Sequence, residues 1–269
     1  RTEKSCHEES SDQESSGQKG RGQKMTSQYF FLGNTPQLSL LELKSLFSTP
    51  FTLVTPTIAV STQIYENLKL NCLGGTRKVA TTIATVPRNQ VIPALTAYLQ
   101  SQEGKNVAVT DYAELSLQSS DLLQVKKSIQ RPLRFVSLDT LEHELIMLSH
   151  QHVLEVNLLP SGNLVDLAAT TWIFDAEDWV TRDRAKPYRD IKRGMLPPKL
   201  ARILVNLGAQ GRGGLSLTDP FCGTGTILAE ALLSGCPSVY GTDTFGPAVR
   251  GAQANLDWLC SHYNLESKI

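Results

Sequence analysis

Hydrophobic positions along the chain fall into two periods. Tyr29-Phe30-Phe31-Leu32 is a short, wholly apolar run and predicts a strand. Further strands are predicted over 78–86, 106–109 and 133–138. A hairpin of two more, 152–159 and 164–174, turns at Ser161-Gly162. Helices are predicted between them. Ser39 and Glu42 have the spacing of a capping box, and Leu43, Leu46 and Phe47 give the helix that follows an apolar face. A loop rich in Thr and Pro then leads to a tight turn at Gly74-Gly75. Residues 89–102, with Pro93 near the first turn, and 121–129 and 141–148 also read as helices. Strands alternating with helices predict an α/β or α+β fold.

The pattern breaks at 175–194, a charged stretch read as a linker and a domain boundary. Pro197-Pro198 then opens a helix whose Leu200, Ile203, Leu204 and Leu207 stand at i, i+3, i+4 and i+7, with Gly208 placed to close it. Residues 215–219 predict a strand ending in Asp219, and 220–226 a glycine-rich turn. A helix over 227–234 closes at Gly235. A second strand, 238–243, ends in Asp243, and a last helix covers 247–262.

This is a βαβ unit with glycines at the carboxyl end of its first strand, the edge where open α/β sheets bind ligands. Gly223 and Gly225 let the backbone approach a ligand closely. Asp243 follows Gly225 by 18 residues, near the spacing of about 20 expected of an acid that hydrogen-bonds a ribose. A dinucleotide fingerprint requires glycine where Leu228 stands, and a Walker loop is absent. Asp219 just before the turn disfavours a pyrophosphate. It suits a cation, such as the amino group and sulfonium of S-adenosyl-L-methionine.

Charge matters through its placement. The formal net charge is zero, yet 181–202 holds eight basic and two acidic residues, so an equal negative excess lies elsewhere. Arg182, Arg184, Lys186, Arg189, Lys192 and Arg193 form the densest part of this stripe, a candidate phosphate-binding element; the alternative is a solvated charged surface. Five scattered cysteines without a CxxC pair predict neither a zinc site nor a disulfide framework and fit a reducing cytoplasm. No apolar run reaches the roughly 20 residues of a membrane span. Residues 1–24 are polar and expected to be disordered, and Met25 is the expected natural start.

Thr218-Asp219-Pro220-Phe221-Cys222-Gly223-Thr224-Gly225-Thr226 resembles motif I of Rossmann-fold methyltransferases, in the form typical of THUMP-domain RNA methylases. The run from Arg182 through Pro187-Tyr188-Arg189-Asp190 to Gly194-Met195-Leu196-Pro197-Pro198 is similar to that family's motif X. Leu32-Gly33-Asn34-Thr35-Pro36 and Leu73-Gly74-Gly75-Thr76-Arg77-Lys78 resemble its amino-terminal signatures. The group most resembled methylates N2 of guanosine 10 in tRNA. The resemblance implies an α+β ferredoxin-like/THUMP region over 25–175 that grips tRNA and a basic linker over 176–194. The first part of a Rossmann-fold methyltransferase domain would follow over 195–269. It also implies S-adenosyl-L-methionine lined by Asp219, Pro220, Phe221, Cys222, Gly223, Thr224, Gly225 and Thr226. Asp243 would hold the ribose, with Met195 and Leu196 near the methionine end.

One departure stands out. The family's catalytic [DN]-P-P-[YF] string does not occur, so the catalytic residues stay unassigned and the chain is expected to be a truncated gene product, inactive alone. Two other readings stand beside the RNA methyltransferase: a noncatalytic tRNA-binding protein completed by a partner chain, and a methylase of DNA or another substrate. His150 and His152 lack a third ligand and are read as structural, Trp172 and Trp179 as core, and Cys222 as packing.

Overall fold

The computed structural model describes residues 26–138 and 141–266, so the tail expected over 1–24 lies outside the described residues. The first strand, β1 (Gln28–Leu32), is buried along its whole length, as its unbroken apolar run requires. Helix α1 (Pro36–Leu46) begins three residues before Ser39, because Pro36 supplies a preset first-turn φ. Ser39 and Glu42 therefore lie inside the helix and form no capping box there. The Thr/Pro loop is in fact a hairpin, β2 (Thr52–Thr55) and β3 (Ile58–Ser61), followed by the short α2 (Asn67–Leu70).

Long β4 (Thr76–Pro87), α3 (Val91–Ser101), β5 (Asn106–Asp111) and α4 (Ser119–Ser128) follow as predicted to within a few residues. β6 shrinks to Arg134–Phe135, and α5 covers Leu141–His150. The hairpin of β7 (Leu154–Ser161) and β8 (Leu164–Ile173) turns at Gly162 with φ +60°. All eight strands join one mixed sheet in the order β2-β3-β1-β4-β8-β7-β5-β6. α1 packs on Phe30, Leu32, Val79 and Trp172; α3 and α4 pack on Val107, Val156, Leu158 and Leu167. The sheet curls so far that Phe31 of β1 and Tyr112, just past β5, bring their rings to 5.3 Å.

The charged stretch is not all linker. Residues Ala176–Arg184 form α6, started by Asp175, whose carboxylate accepts from the Asp178 amide. α7 (Pro198–Ala209) ends at Gln210 in the left-handed region, so Gly208 lies within the helix and does not close it. β9 (Leu217–Asp219), α8 (Thr226–Leu233), β10 (Val239–Gly241) and α9 (Gly246–Tyr263) complete the βαβ unit around Leu228, Ala231, Ala252 and Leu256.

A polar latch joins this unit to the large sheet. Glu42 of α1 accepts from the Gly74 and Gly75 amides at 2.9 and 2.8 Å and from Asn206 of α7 at 2.7 Å. Asn206 also donates to the Cys72 carbonyl. Glycine is required at 74, since a Cβ there would stand 2.6 Å from the Lys199 carbonyl.

Candidate cofactor site

β9 and β10 run parallel with Asp219 opposite Gly241, so Asp219 and Asp243 emerge at the same sheet edge. Three backbone bonds shape the turn between them. The Thr242 amide donates to Asp219, that of Cys222 to Thr242, and that of Gly225 to Cys222. Gly223 and Gly225 both take positive φ, +50° and +80°. A Cβ at Gly225 would press on Ala252 at 3.1 Å, whereas one at Gly223 would meet nothing within 4 Å. Gly225 is thus fixed by packing, and Gly223 presents bare backbone to open space, where a ligand can approach.

Asp243 accepts from the Gly223 amide at 3.0 Å and the Phe245 amide at 2.9 Å. The Phe245 and Gly223 bonds, with help from Arg193, hold the carboxyl of this half-buried residue below the usual aspartate range. The group stays anionic at neutral pH, with lone pairs left for ribose hydroxyls. Asp219 accepts from the Phe221 amide at 3.0 Å, and the Phe221 ring is 79 % exposed at the rim. Thr224 and Thr226 are buried, their hydroxyls 3.4 Å apart. Cys222 packs against Gly241, and burial first, then Asp219 and Asp243, raise its thiol pKa. A raised thiol is a poor nucleophile. The two carboxylates at one sheet edge suit a nucleoside with a cationic arm, and their negative charge disfavours a pyrophosphate there.

Sequence reading missed Asn255. Its side chain accepts from the Tyr188 amide and donates to the Tyr188 and Thr224 carbonyls, tying the motif X segment to the glycine turn. The Tyr188 ring lies so close to α9 that a Cβ at Gly251 would fall 2.0 Å from it. Glu230 was missed too. At 1 % exposure it joins Arg182 and Arg202 at 2.6 and 2.8 Å. Each is a lone polar residue within an apolar helix stripe, and that misfit is the feature by which sequence could have found it.

The basic stripe divides. Arg182 is buried, stacked on Trp179 and paired with Glu230 and Asp178. Lys186 is buried as well, with no hydrogen-bond partner among the described residues, and burial lowers its pKa. Arg184, Arg189, Lys192 and Arg193 are exposed; Arg193 lies over the Phe245 ring, beside Asp243's turn. Met195 and Leu196 are half-buried just before α7. His150 sits near Glu177 at the surface, and Trp172 and Trp179 are core residues. Among the described residues no cluster of His, Cys, Asp or Glu could hold a metal, and no helix is long and apolar enough to cross a membrane.

Residues 186–265 match the RMKL-like methyltransferase domain family, UPF0020. The cofactor of this segment is S-adenosyl-L-methionine. Over 72 residues the chain is 44 % identical to the tRNA (guanine(10)-N2)-dimethyltransferase of Methanothermobacter thermautotrophicus, which covers 27 % of this chain and 20 % of that one. The enzyme of the same name from Pyrococcus abyssi is 46 % identical over 63 residues, 23 % of this chain and 18 % of its own. The match therefore spans about a fifth of these relatives' length. The crystal structure of TrmN from Thermus thermophilus superposes with a TM-score of 0.50 at 17 % identity, over 89 % of this chain and 70 % of that one. At that identity the likeness is one of fold.

Proposed function

We propose that the chain forms the cofactor-binding and RNA-gripping parts of a methyltransferase acting on N2 of guanine in tRNA, at guanosine 10. The observation that carries this is the glycine turn between Asp219 and Asp243, set in residues 186–265 that match the RMKL-like methyltransferase domain, and supported by 44 % identity over 72 residues to a tRNA guanine dimethyltransferase. Asp243 binds the ribose hydroxyls of S-adenosyl-L-methionine. The open backbone at Gly223 lies along the cofactor, and Asp219, with Met195 and Leu196, faces its methionine end. The exposed Arg184, Arg189, Lys192 and Arg193 contact RNA phosphates, and the curled eight-stranded sheet is a ferredoxin-like/THUMP region that grips the tRNA.

Two binding measurements on the full chain test this reading. S-adenosyl-L-methionine is expected to bind stoichiometrically in calorimetry, and a tRNA transcript to bind well ahead of a DNA duplex of equal length. Equal affinity for DNA, or no cofactor binding, would overturn it. The acceptor is tested with methyl-labelled S-adenosyl-L-methionine and cell-derived protein containing this chain on transcripts with guanosine or adenosine at position 10, where only the first is expected to gain label.

A further inference from the structure

A second concave site lies away from the glycine turn, where the large sheet meets α7. It is a cavity of about 310 Å³, several times the roughly 30 Å³ a water molecule occupies. The starts of two helices meet on it: Asn34 and Thr35 lead into α1, and Pro197 into α7. Neither N-terminus has a side-chain cap, and neither first turn holds an acid. Their first-turn amides have no partner within the helix, and both helix dipoles present a positive end to one space.

The side chains agree with the backbone. Lys199 lines the cavity with its ammonium 3.3 Å above the centre of the Phe174 ring, and among the described residues no carboxylate pairs with it. The other cations nearby are matched. Arg77 and Lys78 share Glu144, Lys78 also takes Glu155, and Arg182 is held by Glu230 and Asp178. Burial first, then Arg182 and Arg77, lowers the Lys199 pKa to about 8, a cost the Phe174 ring face offsets in part. Glu42 beneath the turn has both carboxylate oxygens engaged by Gly74, Gly75 and Asn206. Thr76, 2 % exposed, also lines the cavity, and its buried hydroxyl has no hydrogen-bond partner among the described residues. A buried hydroxyl without a partner, an unmatched ammonium and two uncapped helix starts share one lack, an anion with several acceptor oxygens.

We propose that this cavity binds a phosphoryl group, held by Lys199, the Thr76 hydroxyl and the first-turn amides of α1 and α7, and that the group is a backbone phosphate of the RNA. The RNA as source rests on the function proposed above; the anion site does not.

The test uses the full chain, labelled for amide and side-chain NMR, and inorganic phosphate as probe. Phosphate is expected to shift the amides of Gln37, Leu38, Lys199 and Leu200 saturably. Lys199→Gln should weaken it about tenfold, as loss of one charge-assisted bond implies. Thr76→Val, nearly isosteric, should weaken it several-fold and keeps the test decisive if the lysine variant unfolds. A second arm follows tRNA binding against salt, where Lys199→Gln should flatten the log–log slope by about 0.7–0.9, one phosphate contact. If phosphate moves these amides but the slope is unchanged, the site stands and the RNA assignment is overturned. A chain that binds no RNA refutes the proposed function while leaving the phosphate arm readable. If phosphate leaves all four amides unmoved, the site itself is overturned.

Discussion

At the scale of the residue, Asp243 shows how a surface carboxylate becomes specific. The Phe245 amide of its own turn and the Gly223 amide of the glycine turn each bond one of its oxygens, and they hold it ionised below the ordinary aspartate range. Asp243→Ala is expected to weaken S-adenosyl-L-methionine roughly tenfold to a hundredfold, the usual loss for a hydrogen bond to a charged group, as read by calorimetry. The pH profile has a sign. Because the folded pKa is depressed, what this carboxylate contributes is present above the unfolded aspartate value and is lost only as pH falls through the lower, folded value. Cofactor affinity should therefore stay level through the ordinary aspartate range. A fall centred on that range would show that the two amide bonds do not hold in solution.

At the scale of the element, the buried triad of Glu230 on α8 with Arg182 on α6 and Arg202 on α7 sets how three helices pack behind the glycine turn. Glu230→Ala leaves two buried guanidiniums facing each other and is expected to cost about 3–5 kcal/mol in denaturant unfolding. A loss under about 1 kcal/mol would mean that water reaches the triad. The same triad explains what sequence could and could not show. The βαβ unit was legible to within a few residues, because short apolar strands, Gly235 and the two terminal acids mark every boundary. Leucine spacing likewise exposed α7, though not its end at Gln210. The β2–β3 hairpin was illegible, since Thr52, Leu53 and Val54 alternate weakly on a half-exposed edge and Pro56 lies between the strands. α6 was hidden because Arg182 pairs with Glu230 of a helix distant in sequence, so a helix that buries only Trp179 and Arg182 read as a solvated linker. The Asp219–Asp243 site was visible locally, whereas Asn255 and Glu230 act on partners 67 and 48 residues away, a distance no local pattern reports.

At the scale of the whole molecule, the fold spends part of its local positive charge on its own stability. Arg182 and Lys186 turn inward, and only Arg184, Arg189, Lys192 and Arg193 remain on the outside of the stripe. Counting all six as phosphate ligands would overstate the salt dependence of RNA binding. If each exposed cation neutralises one phosphate, the slope of log K against log salt owed to them is about −3 on single strands and a little steeper on duplex. Replacing these four by Gln should flatten the measured slope by about three while leaving the melting temperature nearly unchanged, as expected of exposed sites. Arg182→Gln should do the reverse. It breaks the buried pair with Glu230 and lowers the melting temperature, yet leaves the slope of the still-folded protein where it was. A quadruple variant that binds RNA with the wild-type slope would place the contacts elsewhere, on the concave sheet or the α1–α7 cavity. A flattened slope for Arg182→Gln would mean that its guanidinium leaves Glu230 when RNA arrives, and that α6 moves with it.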